Sequence, residues 1–136
     1  MTISLVTGGA GFIGSHIVEQ LISLGHEVVV VDNQYSDNEN FYWRKDTYNV
    51  KIDITDKALK NAFTNVDYVF HLAAEARIGP AIENPVNAVN INTIGTCNVL
   101  QCAREVGAKK VLYSSTSSGY GLNEAPNVET QPDDCL

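Results

Sequence analysis

The chain has 136 residues, 44% hydrophobic and 18% charged, which suits one globular domain with a real core. A formal net charge of −7 excludes the basic footprint of a nucleic-acid binder, so no nucleic-acid partner is expected. No apolar run reaches membrane-spanning length, and Met1 to Ser4 leads straight into an apolar strand with no basic stretch before it; no membrane partner is expected. The cysteines, Cys97, Cys102 and Cys135, are odd in number and lack CxxC spacing, which reads as free thiols in a reduced, cytoplasmic setting with no metal site.

Strand and helix signals alternate along the chain, the pattern of a parallel sheet covered by helices on both faces. Ile3 to Thr7 reads as the first strand. Phe12 to Leu24 follows as a helix with Ile13, Ile17, Leu21 and Leu24 on its inner face, closed by Gly25. Glu27 to Asp32 is the second strand, its unbroken valines suiting burial on both faces. Gln34 to Asn49 is polar and aromatic without periodicity and reads as a loop with at most one helical turn. Val50 to Ile52 predicts a short strand, and Thr55 a cap for a helix reaching Phe63. Tyr68 to Leu72 is the fourth strand. Asn84-Pro85 predicts a helix start, the Asn capping and the Pro giving up an amide that has no helical partner. That helix runs to Val106 with Val89, Ile91, Ile94, Leu100, Ala103 and Val106 inward, and stops at Gly107. Lys110 to Ser115 is the fifth strand, and the rest is polar and irregular.

The chemistry begins at Gly8, Gly11 and Gly14, spaced GxxGxxG between a strand and a helix. The first glycine permits a tight turn. The second lets a diphosphate reach the amides opening the helix, and the third lets the helix approach the sheet. Asp32 stands 18 residues beyond Gly14 at the end of the second strand. That is close to the spacing of about 20 for the acid that accepts from the adenosine ribose of a dinucleotide. A carboxylate there repels a 2′-phosphate and favours NAD over NADP. Asn33 adds a ribose or phosphate contact.

The segments TGGAGFIGSH, VVVVDN, Asp53-Ile54, HLAA at 71–74, NxxxGT (Asn92 to Thr96 with Gly95) and SSTSSGYG at 114–121 stand in one order. Together they resemble the extended short-chain dehydrogenase/reductase family, in its NAD-dependent epimerase/dehydratase group. The resemblance implies a Rossmann-like, doubly wound α/β fold with strand order 3-2-1-4-5. It places Phe12 and Ile13 against the pyrophosphate, and Asp53 and Ile54 around the adenine, with helix-entry capping as the rival role for Asp53. Leu72, Ala73 and Ala74 would pass under the cofactor phosphates and ribose, or merely end a buried strand. Asn92 would bond main chain or water near the cofactor, Ser114 would line it, and Gly95 would let its helix pack tightly. His71 reads as a packed, hydrogen-bonded strand residue and not as a catalyst.

By the same resemblance, Thr116 is the hydroxyl that binds the reacting sugar hydroxyl, able to donate and accept as the proton moves. A plain polar loop is the rival reading. Tyr120 is not the family base, because position 124 is Glu and no YxxxK pair occurs in the sequence. The chain therefore reads as an incomplete NAD(P)-binding domain over residues 1–136, inactive alone, with a nucleotide-sugar substrate expected for the whole protein. Ser117-Ser118 stands where dehydratases of the family carry an acid pair, which favours epimerase over dehydratase; reductases and decarboxylases of the family can also lack the pair. A non-catalytic NAD sensor is the competing class. Family members pair as homodimers through the 85–106 helix together with the YxxxK helix; with one of the two present, the oligomeric state stays open.

Overall fold

The computed structural model describes residues 1–36 and 40–131. Cys135 lies outside the described residues, while Cys97 and Cys102 are free thiols. Five parallel strands, β1 (Ile3–Thr7), β2 (Glu27–Asp32), β3 (Tyr48–Lys51), β4 (Tyr68–His71) and β5 (Lys110–Tyr113), form one sheet in the order β3-β2-β1-β4-β5. The chain thus winds outward from β1 to β3, returns, and winds the other way through β4 and β5. The reversal falls between β1 and β4, and it is beyond the carboxyl ends of strands at such a point that open α/β sheets bind ligands.

Two apolar clusters seal the inner strands. Leu5, Val31 and Val69 face one cluster with Ile54, Leu59, Phe63 and Val99, while Val6 and Val30 face the other with Ala10, Val18 and Leu21. Neighbouring residues of one strand serve opposite faces because side chains alternate across the pleat. That alternation explains the unbroken valine run of β2. The opening strand is also tied down by Asp67, which accepts from the Ile3 amide at 2.9 Å and pairs with Lys109 at 2.7 Å.

Helix α1 (Phe12–Ser23) buries Gly14, Val18 and Leu21, and Ile17 packs beside them. The expectation that Ile13 and Leu24 face inward is corrected: they are 62% and 65% exposed. The reason is Gly14, whose added Cβ would lie 2.1 Å from the Gly8 carbonyl oxygen. This glycine is the point of closest approach, so it fixes which side of the helix turns inward. Gly25 closes the helix at φ +81°.

The region after β4 holds a short helix, α2 (Ile78–Glu83), and a longer helical rod, α3 (Pro85–Val89), a wide π-type turn (Asn90–Gly95) and α4 (Thr96–Glu105). Asn84 caps the rod as its sequence predicts, its side chain accepting from the Asn87 amide at 3.1 Å. The predicted inner face is partly corrected. Val89, Ile94, Leu100 and Val106 are exposed, and Ile91, Gly95, Val99, Cys102 and Ala103 are buried. Again a glycine sets the rotation: a Cβ on Gly95 would meet Ile54 Cδ1 at 2.6 Å. Apolar counting passes over such a residue.

Smaller corrections concern element ends and the loop. Strand β3 begins at Tyr48, ahead of the predicted Val50, and β4 and β5 end at His71 and Tyr113. Thr55 does not cap the next helix, a 3-10 segment over Lys57–Phe63; Asp56 does, accepting from the Ala58 amide at 2.7 Å. No helical turn occurs among the described residues of 34–49.

Candidate active site

The ends of β1 and β4 stand side by side, with Thr7 paired to His71. Gly8 follows at φ +69°, a left-handed conformation that favours glycine, and its amide donates to Val31 O at 2.8 Å. A Cβ there would also crowd the Ala73 amide nitrogen at 2.9 Å. Gly8 and Gly14 are therefore demanded by the protein itself. Gly11 is different. Its φ of −76° suits any residue, and a Cβ would meet only Gly8 O, at 3.3 Å. Backbone conformation does not call for a glycine here, and a Cβ would ask the Gly8 carbonyl to give by only a few tenths of an ångström, yet Gly11 lines the site.

Two clefts meet over this turn, with volumes of about 230 and 820 Å³. They share a wall made by Gly8, Gly11 and the stretch from Leu72 through Ala73 and Ala74 to Ala76. The smaller cleft adds Asp32, Asn33, Asp53 and Ile54; the larger adds Phe12, Ile13, Gly14, Asn92, Ser114 and Thr116. Every cofactor-binding or catalytic candidate from the sequence thus lines one of these two adjoining clefts. Helix α1 opens toward it with no side-chain cap and no acid in its first turn. Its leading amides keep their donors and the positive end of the helix dipole.

Asp32 accepts from the Ala10 amide at 3.1 Å through Oδ2 and from the Gln34 amide at 2.8 Å through Oδ1. Asp53 performs local capping, accepting from the Thr55 amide at 2.8 Å and hydroxyl at 2.7 Å, and from Asn33 Nδ2 at 2.7 Å. Partial burial opposes its charge, but these three donors prevail and hold its carboxyl below the usual range. Asn92 bonds main chain, as expected, gripping Glu75 at both its amide (2.8 Å) and its carbonyl (3.0 Å). Thr116 starts a 3-10 turn (Ser117–Tyr120), accepting from the Ser118 amide and donating to the Ser118 hydroxyl, each at 3.1 Å.

Beneath the shared wall lies His71, 1% exposed. The Thr7 hydroxyl lies 2.6 Å from His71 Nδ1 and within hydrogen-bonding reach of the Leu72 and Ala73 amides at 3.2 and 3.3 Å. Thr96 Oγ1 stands 2.9 Å from Nε2, so a hydroxyl partners each ring nitrogen and the neutral ring donates through one and accepts through the other. Burial pushes the imidazole down to about 4, so it is neutral at pH 7. It is a packed, hydrogen-bonded residue, as its sequence context suggests.

Sequence reasoning missed Tyr35, Glu75, Arg77, Thr96 and Tyr113, which also line the clefts. An acid and a base two apart match no helical or strand rule, and Tyr35 sits in the aperiodic loop. Among the described residues no cluster of metal-ligating side chains occurs, and no helix is long and apolar enough to cross a membrane.

A family model described as the NAD dependent epimerase/dehydratase family matches residues 4–135. The chain is 42% identical to a putative UDP-glucose 4-epimerase of Methanocaldococcus jannaschii, over 94% of this chain and 43% of that protein. It is also 42% identical to a UDP-N-acetyl-alpha-D-glucosaminuronate decarboxylase of Bacillus cytotoxicus, over 92% of this chain and 40% of that one. The crystal structure of Thermus thermophilus UDP-glucose 4-epimerase in complex with NAD superposes with a TM-score of 0.86 at 35% identity, covering 98% of this chain and 45% of that one. The chain spans less than half the length of these relatives.

Proposed function

Because this chain belongs to the NAD dependent epimerase/dehydratase family, we propose that its 136 residues form one NAD-binding domain serving the epimerisation of a nucleotide sugar. Gly11 carries the reading: its backbone conformation suits any residue and a Cβ would meet only the Gly8 carbonyl oxygen, whereas a diphosphate approaching the α1 amides needs that space clear. The relatives' names and the NAD complex of the Thermus enzyme support the same choice.

In this reading Gly8, Gly11, Phe12, Ile13 and Gly14 cradle the diphosphate. Asp32 and Asn33 take the adenosine ribose, while Asp53 and Ile54 border the adenine. Leu72, Ala73 and Ala74 let the ligand approach the backbone, and Asn92 steadies that wall through Glu75. Ser114 and Thr116 border the reacting end, where the Thr116 hydroxyl holds a sugar hydroxyl and exchanges its hydrogen bond as the proton leaves. Bound NAD supplies hydride acceptance and return at the sugar carbon.

A second reading, decarboxylation of a nucleotide-sugar acid, draws on the equal identity to the Bacillus decarboxylase. Calorimetry tests the cofactor assignment: NAD binds the wild-type chain, and Asp32→Ala weakens it roughly tenfold while narrowing the preference over NADP. Folded wild type without NAD affinity refutes the proposal. Tighter binding of UDP-glucose than of UDP-glucuronate to the NAD-loaded chain favours epimerisation, and the reverse order favours decarboxylation.

A further inference from the structure

We infer that the Tyr35 side chain is a bar across the smaller cleft, latched to α3 by Asn87, that sets how fast the adenosine end of a dinucleotide enters and leaves; this rests on the NAD reading above. Strand β1 lies between β2 and β4, so the segments that follow β2 and β4 flank the glycine turn from opposite sides. Tyr35 belongs to the first of these segments and lines the cleft beside Asn33. Its phenol reaches α3, beyond the second segment, where Asn87 Nδ2 donates to the hydroxyl oxygen at 3.1 Å. On the way its ring centroid lies 5.9 Å from the guanidinium carbon of Arg77, part of the second wall. One side chain thus joins both sides of the cleft.

The two ends of the bar are held differently. At the root, Gln34 takes φ +58°, the left-handed region that a residue with a side chain seldom enters. Two bonds fix this turn: Asp32 accepts from the Gln34 amide at 2.8 Å, and Asn33 Oδ1 accepts from the Tyr35 amide at 2.9 Å. At the tip there is one hydrogen bond, exposed to water that competes for both partners. A pinned root and a weak tip let the ring swing aside by side-chain rotation while the backbone stays in place. The latch contains no ligand atoms. Breaking it therefore changes the rates of passage in both directions and leaves affinity nearly as it was.

Stopped-flow measurement of NAD and ADP association and dissociation on the intact chain tests this. Tyr35→Phe keeps the ring and loses the latch, and Asn87→Ala removes the other partner. Each is expected to quicken both rates roughly two- to tenfold while Kd moves less. The double variant is expected to match the singles, because all three break one contact. Tyr35→Ala, which removes the bar itself, is expected to be the fastest. Unchanged rates in the folded single variants overturn the proposal. So does faster dissociation with unaltered association, the mark of an ordinary ligand contact, and so do single effects that add in the double variant. NAD that binds with rates indifferent to every variant removes the bar and leaves the cofactor reading. ADP traffic that responds while NAD does not bind removes the cofactor reading and leaves the bar.

Discussion

Strands β1 and β5 are both apolar and both lie in the same sheet, yet their surroundings differ completely. Leu5 and Val6 of β1 are fully buried between two clusters, whereas Leu112 and Tyr113 of β5 are 55% and 56% exposed. The sealed strand delivers the glycine turn and, with β2, the Asp32 carboxylate. The open one delivers Ser114 and Thr116, positioned by hydrogen bonds such as Ser114 N to His71 O at 3.1 Å. Packing therefore positions the Asp32 side of the clefts, and local hydrogen bonding positions the Ser114 and Thr116 side.

The largest test of that contrast is Gly14→Ala. Its Cβ meets backbone at 2.1 Å and 2.7 Å, and backbone cannot rotate aside. A loss of about 3 kcal/mol or more is expected in denaturant unfolding. A loss below about 1 kcal/mol would show the sealed half to be pliable.

His71 joins the two halves and supplies the second test. Its native value near 4 lies below the ordinary 6.5, so the unfolded chain binds the extra proton first as pH falls. Stability is fully present above about pH 6.5 and declines toward pH 4, by up to about 3 kcal/mol. Unfolding curves across that window measure it, and His71→Gln should flatten the slope. An unchanged slope in that variant places the titration elsewhere.

The smallest effect belongs to the open strand. Leu112→Ala should cost less than about 1 kcal/mol, where Leu5→Ala costs about 2–5 kcal/mol. Equal losses would erase the distinction between the strands.

How much of this was readable in the sequence follows the same division. The valines of β2, the cap at Asn84 and the position of Asp32 announce themselves because each depends on local chemistry. The inner faces of α1 and α4 do not, because Gly14 and Gly95 choose them through contacts with the Gly8 carbonyl and with Ile54. A residue without a side chain leaves no mark on an apolar pattern. Thr55 is the cap that the sequence suggests, but the turn at Asp53 engages it, and Asp56 caps the helix instead. Glu75 and Arg77 stayed hidden for a related reason: their partnership depends on a wall bent by Asn92, 17 positions further on.

The two amides on Asp32 carry one more consequence. With one oxygen engaged by Ala10 and the other by Gln34, the carboxylate is immobilised before any ligand arrives. Each oxygen retains a lone pair, so the sugar hydroxyls of the proposed ligand would meet fixed acceptors with no rotamer freedom forfeited on capture. Under the NAD reading proposed above, selectivity at this corner would come from rigidity as much as from charge, because a bulkier anion could not push the acid out of its way.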